Sequence, residues 1–263
     1  MKPEMKLTEE AVAGYGELTD YDTFTDYDAF AWFFDQYWSR EIPEAMMSAI
    51  EQTLLPRLPA QARLLDLCCG TGQLAAALTA RGLTVTGVDN SAEMLRYARV
   101  NAPAAEFVRA DARRFKLPQS FDAAISTFDS LNHFLTLEDL SAVFRQTRRA
   151  LGAGGWFLFD MNVERGFVTH WRDYFAIVEE HAVCVLTGEY DPEQRLGRYD
   201  ITMFRRRGKS WQRADTTISE RCYELKEIKR ELKRAGFNEV SAFAADADLG
   251  LAYHTGRIFF LAR

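Results

Sequence analysis

The sequence predicts an α/β fold: a doubly wound, mostly parallel sheet that carries an antiparallel β insertion. Three observations predict it. Short apolar runs alternate with amphipathic segments between residues 63 and 161. One of these runs, Leu64-Leu65-Asp66-Leu67, leads through Cys68-Cys69 into the turn Gly70-Thr71-Gly72. Beyond Asn162 the pattern changes to long polar–apolar alternations separated by turn signals.

The elements follow in order. Residues 1–20 open on a polar stretch and are expected to form a loose tail. Aromatic residues then crowd the chain from Tyr21 to Trp38, several at helical spacing, so part of this stripe must pack. A helix is predicted over 43–55, with Pro43 near its start and Pro56 after its end. A strand over 63–67 precedes the glycine turn, and a helix over 73–81 follows it, stopped by Gly82. The next strand, 84–88, ends in Asp89. Ser91 is placed to cap a helix over 92–101, with Glu93 in its first turn. Strands are predicted over 106–109, 121–127 and 155–161, with a helix over 137–150 before the last. Asp66, Asp89, Asp111 and Asp129 all fall at or just after strand ends, so they line one edge of the sheet, where a ligand binds in such folds.

The insertion reads as three strands, 174–190, 196–207 and 210–223, with turns at Asp191-Pro192 and Arg207-Gly208-Lys209. A helix over 224–235 and strands over 240–245 and 257–262 return to the sheet. Residues 21–163 and 224–263 therefore form the sheet domain, and residues 164–223 form a cap over its ligand edge.

Composition narrows the function. Hydrophobic content of 48% with 27% charged residues marks a soluble globular chain. A net charge of -6 argues against a nucleic-acid partner. No apolar stretch is long enough for a membrane span, and no leader pattern opens the chain, so a cytoplasmic protein is expected. The four cysteines form no C-x-x-C pair, and His170, His181 and His254 show no metal spacing, so reduced thiols and no metal are expected. The residues leave the oligomeric state open.

Gly70-Thr71-Gly72 with Ala75 also fits a dinucleotide-binding turn. Asp66 separates the two readings. A pyrophosphate is an anion seated at a helix N-terminus, and a carboxylate four residues before Gly70 would repel it. A ligand with a cationic amino group welcomes the same carboxylate. Asp89 stands where an acid accepts from both ribose hydroxyls; its bland alternative is a polar turn residue. Asn90 and Met94 are placed to wall a base, although Met94 equally suits a core. Tyr27 has two readings as well, a ring over a cation or a packed aromatic. His133 either takes a proton from an acceptor or caps the next helix, and Asp129 either orients an amine or holds its own turn.

The landmarks in sequence order resemble class I S-adenosylmethionine-dependent methyltransferases. Asp66 to Gly72 is similar to the family's glycine motif, Val88-Asp89-Asn90-Ser91 to its ribose motif and Ala110-Asp111-Ala112 to its adenine motif. Phe128-Asp129-Ser130-Leu131-Asn132-His133-Phe134 resembles a signature of a bacterial small-molecule group with a β insertion after strand five. The resemblance implies a Rossmann-like seven-stranded sheet with its last strand antiparallel. It implies S-adenosyl-L-methionine as cofactor, S-adenosyl-L-homocysteine as product, and a small-molecule acceptor methylated at nitrogen or oxygen. Carried onto this chain, the cofactor contacts are Tyr27, Asp66, Leu67, Cys68, Gly70 and Gly72 on one side. Asp89, Asn90 and Met94 would hold the nucleoside, with Asp111 and Ala112 on the adenine and Thr127 and Phe128 after the fourth strand. His133 and Asp129 are the catalytic candidates, and Arg221 and Tyr223 are expected to face the acceptor. Two alternatives stay beside this one: a cofactor-binding module without turnover, and an NAD-dependent oxidoreductase.

Overall fold

The computed structural model describes residues 26–38, 42–117, 120–171 and 174–263. The expected tail over 1–20 and the first aromatics of the stripe, Tyr21 and Phe24, lie outside the described residues. Helix α1 (Asp26–Phe33) runs into a wider turn over Phe34–Trp38, and α2 (Ile42–Thr53) follows. Then come β1 (Arg63–Leu67), α3 (Gln73–Thr79), β2 (Thr84–Asp89), α4 (Ala92–Asn101) and β3 (Glu106–Arg109). The second half of the alternation is β4 (Phe121–Ser126), α5 (Leu137–Ala150) and β5 (Leu151–Asn162). After α6 (Glu164–His170) the chain builds β6 (Tyr174–Val178), β7 (Ala182–Asp191), β8 (Leu196–Arg207) and β9 (Ser210–Arg221). It closes with α7 (Leu225–Arg234), β10 (Val240–Ala244) and β11 (Arg257–Ala262).

The main sheet has seven strands in the order β10-β11-β5-β4-β1-β2-β3, with β11 antiparallel to both of its neighbours. The order reverses between β1 and β4, which opens a crevice at their carboxyl ends. Successive side chains on a strand point to opposite faces, and the core follows that rule. Phe157, Phe159 and Phe260 join Phe144 of α5 and Leu232 of α7 on one face. Leu158, Phe259 and Leu261 join Ile50 of α2 and Leu78 of α3 on the other.

The second sheet is antiparallel, in the order β6-β7-β8-β9. It has four strands where three were expected, because residues 174–190 fold back on themselves. The turn falls at Glu179-Glu180-His181, closed by the Glu179 amide donating to the Ala182 carbonyl at 2.8 Å. It contains no Gly, Pro, Asn or Asp, so turn chemistry gave no signal. β5 starts at Leu151 rather than 155, because a bulge between Phe121 and Ala123 of β4 shifts the pairing over the glycine-rich stretch. The cap's inner face carries Cys184, Leu186, Ile201, Met203 and Ile218, and α1 packs Phe30 and Phe33 against them. The aromatic stripe is thus the wedge between cap and sheet.

Two polar ties fix this wedge. Asp28 Oδ1 accepts from Ser91 Oγ at 2.6 Å and from the Glu93 amide at 3.2 Å, joining α1 to the start of α4. Asp35 Oδ1 accepts from Asn101 Nδ2 at 2.7 Å and from Gln73 Nε2 at 3.0 Å, joining the wider turn to α3 and α4.

Gly72 lets α3 start against α4. Its φ is +82°, and a Cβ there would lie 2.8 Å from Ala98 Cα. Gly72→Ala combines left-handed backbone with a backbone collision, and we expect a loss of about 2–3 kcal/mol. A thermal melt should fall by roughly 5–10 °C. An unchanged midpoint would show that α4 yields freely.

Candidate active site

One cavity of about 660 Å³ opens at the carboxyl ends of β1, β2 and β4 and extends beneath the cap. It is large enough for a nucleoside cofactor beside a small acceptor. Its walls come from three sources: the strand tips, α1 with its following turn, and the inner face of β7–β9.

At the strand tips, Asp66 is 2% exposed and its Oδ2 has no hydrogen-bond partner. Burial, reinforced by the nearby Asp89 charge, pushes its carboxyl up to about 8. An ionised carboxylate held there without a cation is costly, so the position favours a positively charged ligand. Asp89, at the end of β2, accepts from the Gly70 amide through Oδ2 and from the Ser91 amide through Oδ1, both at 2.9 Å. Burial raises its pKa, and these backbone donors oppose the rise. Each oxygen keeps a further lone pair, which suits a vicinal diol. The Asp89 carboxylate therefore shapes the glycine turn and the ligand site together.

The turn after β4 is strained. Phe128 and Asp129 both have left-handed backbone, with φ of +62° and +53°. Asp160, fully buried on β5, holds them: its carboxylate accepts from the Phe128 amide at 2.7 Å and the Asp129 amide at 2.9 Å. Arg257 on β11 donates to Asp160 and, at 3.0 Å, to Asp129 Oδ2. Such positions persist where the surroundings over-determine them. Asn132, completely buried, ties the same corner to the cap, donating to the Asn162 carbonyl at 3.0 Å and the Arg221 carbonyl at 2.8 Å.

Beneath the cap, Tyr27, His133 and Glu220 meet. The Tyr27 hydroxyl and His133 Nε2 are 2.8 Å apart, and His133 Nδ1 is 3.1 Å from the Ser219 carbonyl. A carbonyl only accepts, so Nδ1 carries the proton and Nε2 accepts from Tyr27. Burial lowers the His133 pKa, which keeps the ring neutral. Glu220 Oε1 lies 3.5 Å from His133 Nε2, while its Oε2 is buried without a partner.

The expected site residues divide accordingly. Tyr27, Asp66, Cys68, Gly70, Asp89, Asn90, Met94, Thr127, Phe128, Asp129 and His133 line the cavity. Leu67, Gly72, Asp111 and Ala112 do not. Leu67 and Ala112 are buried in the core, and Gly72 packs on Ala98. The Asp111 carboxylate is engaged by Arg113 Nη2 at 2.6 Å and by Arg114 Nε at 3.6 Å. Asp129 reaches the wall, but its carboxylate is committed to Arg257 and Asn162. For His133 to take an acceptor's proton, Tyr27 must first release Nε2. Arg221 and Tyr223 lie off the wall, and the Tyr223 ring is buried in the core, with its hydroxyl donating to the Phe134 carbonyl. Sequence reasoning passed over Glu220, Asn162 and the pairing role of Arg257. The alternation along β9 marked Glu220 as one more polar strand residue, and nothing local distinguished it.

Comparison with known proteins bears on the same residues. A family model described as "Methyltransferase domain" matches residues 64–155, from β1 into β5. YqeM of Bacillus subtilis (strain 168), which carries a provisional methyltransferase name, is 28% identical over 239 residues, 89% of this chain and 95% of its own. The dTDP-3-amino-3,4,6-trideoxy-alpha-D-glucopyranose N,N-dimethyltransferase of Streptomyces venezuelae is 33% identical over 111 residues, 42% of this chain and 47% of its own. The crystal structure of an S-adenosylmethionine-dependent methyltransferase from Clostridium acetobutylicum ATCC 824 shares the fold with a TM-score of 0.75 at 24% identity, covering 91% of this chain and 99% of that one. The matched stretch contains Asp66, the glycine turn and Asp89: residues 64–155 match a methyltransferase domain, in a chain that is similar over most of its length to a methyltransferase-named relative and shares the fold of an S-adenosylmethionine-dependent methyltransferase.

Proposed function

We propose that this enzyme transfers a methyl group from S-adenosyl-L-methionine to a small-molecule acceptor bearing a nitrogen or oxygen nucleophile. The observation that carries the reading is the buried Asp66 carboxylate beside Asp89, its Oδ2 without a partner, in the wall of a cavity roofed by the cap. When bound, the cofactor supplies an electrophilic methyl on a sulfonium, a leaving group that needs no activation by the protein.

The chain's own part is binding, orientation and exclusion of water. Asp66 holds the cofactor's ammonium and Asp89 its ribose hydroxyls. Gly70, Cys68 and Asn90 border them, Met94 and Phe128 offer apolar walls, and Thr127 closes the β4 side. Tyr27 and the α1 aromatics cover the reacting end, with Phe30, Phe34 and Trp38 in the wall. His133 fixes the Tyr27 hydroxyl, and the Asp129–Arg257 pair fixes the loop that carries His133. The similarity to the Streptomyces venezuelae sugar N,N-dimethyltransferase supports a small-molecule acceptor. All four cysteines are unpaired, the state a reducing compartment maintains, which supports a cytoplasmic location. No helix among the described residues is long and apolar enough to cross a membrane.

Calorimetric titration with S-adenosyl-L-methionine and with NADH tests the reading. We expect saturable binding of the first and none of the second. Binding of NADH alone would refute it.

A further inference from the structure

The acceptor end of the cavity is acidic: burial and the Asp129 charge raise the Glu220 carboxyl, Arg257 and the Asn162 side chain act to lower it, and the net shift is upward. Glu220 on β9 is 5% exposed, lines the cavity and leaves Oε2 without a hydrogen bond. The carboxylates of Asp66, Asp89 and Asp129 share the same wall. Among the described residues of that wall the one arginine is Arg257, and it is committed to Asp129 and Asp160. No lysine lines it. His133, next to Glu220, is held neutral with Nδ1 turned to the Ser219 carbonyl, so it supplies no positive charge.

A buried carboxylate oxygen without a donor is costly unless a ligand meets it. Resting on the methyl-transfer reading above, we propose that Glu220 is the acceptor-recognition residue and that the acceptor is a basic amine, bound as its ammonium ion to Oε2. A carboxylate or phosphate acceptor would face like charge with no free cation to receive it. A neutral alcohol could donate one hydrogen bond but would leave the charge uncompensated.

The same contact prepares the nitrogen. An ammonium has no lone pair. One N–H bond breaks, its proton forms an O–H bond on Glu220 Oε2, and the electron pair stays on nitrogen as the nucleophilic lone pair. Burial raises the Glu220 carboxyl well above the ordinary range, which narrows the gap between carboxyl and amine and makes this exchange accessible. Tyr27 and His133 border the exchange and shield it from solvent.

The test compares three ligands with the same ring: cyclohexylamine, cyclohexanol and cyclohexanecarboxylate. Each is titrated by ligand-observed NMR at neutral pH into protein saturated with S-adenosyl-L-homocysteine. The demethylated cofactor carries no sulfonium charge to compete with the ammonium. We expect the ammonium to bind about tenfold more tightly than the alcohol, with no binding of the carboxylate. In Glu220→Gln the preference should vanish while S-adenosyl-L-homocysteine affinity, measured separately by calorimetry, is retained. Equal binding of the three by the wild-type protein, no binding of the ammonium, or a preference that survives in Glu220→Gln would each overturn the proposal. Failure of the wild-type protein to bind S-adenosyl-L-homocysteine would instead overturn the methyl-transfer reading.

Discussion

Asp89→Ala is expected to lower S-adenosyl-L-methionine affinity by about a hundredfold. On the proposed ribose role, two charge-assisted hydrogen bonds to hydroxyls would be lost, each contributing roughly 1.5 kcal/mol or more. A second effect adds to the first. The Gly70 and Ser91 amides lose the acceptor that now lies 2.9 Å from each, so the glycine turn is no longer drawn toward the end of β2. Asp89→Asn separates the two contributions. It keeps the volume, but an amide can accept through one oxygen only, so one of the two backbone donors is left opposed by an N–H group. An intermediate affinity is expected for it. Calorimetry gives the affinities and a thermal melt without ligand gives the turn's share. An Asp89→Ala protein that binds as the wild type does would remove the ribose assignment.

Asp66→Asn should have effects of opposite sign on binding and on stability. The amide can still accept a hydrogen bond from the cofactor's ammonium but has no charge to pair with it. We expect affinity to fall by on the order of ten- to a hundredfold. The ligand-free protein should respond in the other direction. Asp66 titrates near 3.8 ordinarily and near 8 in the fold. Between those values the native state holds a proton that the unfolded chain has released. The stability linked to Asp66 is therefore fully present below about pH 4 and is lost as pH rises through about 8. Asparagine removes this loss, so Asp66→Asn should melt above wild type at pH 8 to 9 and lose the advantage toward pH 4. Binding has its own pH signature. The cationic ligand needs Asp66 ionised, so wild-type affinity should climb between pH 6 and pH 8, by at most about tenfold per unit. The variant should show no such climb. A wild-type affinity independent of pH in that window would show that Asp66 does not pair with the ligand.

The strand-tip side and the cap side of the cavity lie at opposite ends of legibility. Asp66 and Asp89 could be placed from local pattern alone, because each follows an apolar run and adjoins a turn of recognisable chemistry. Asp111 also follows a strand, but its carboxylate turns to the arginines beside it rather than to the cavity wall. Arg113, two residues on, captures its carboxylate, and no periodicity reports which way a loop acid turns. The fourth cap strand was missed because its turn is made of charged residues rather than glycine or proline. Asn132 was noticed within a motif, but its work is to stitch the ends of β5 and β9 to the loop after β4, contacts 30 and 89 residues away.

The order of strands and helices, the glycine turn and the acids at the strand tips were determined by the sequence itself, since 2-fold and 3.6-fold periodicity, capping and turn preferences act over a few residues. The meeting of Tyr27 with His133 across 106 positions, of Arg257 with Asp129 across 128, and of Glu220 with the cavity was decided by tertiary structure alone. These contacts depend on how the cap docks over the sheet through the α1 wedge. That docking is settled by the packing of Phe30 and Phe33 on the cap's inner face, and by the cost of burying each carboxylate without a counter-charge.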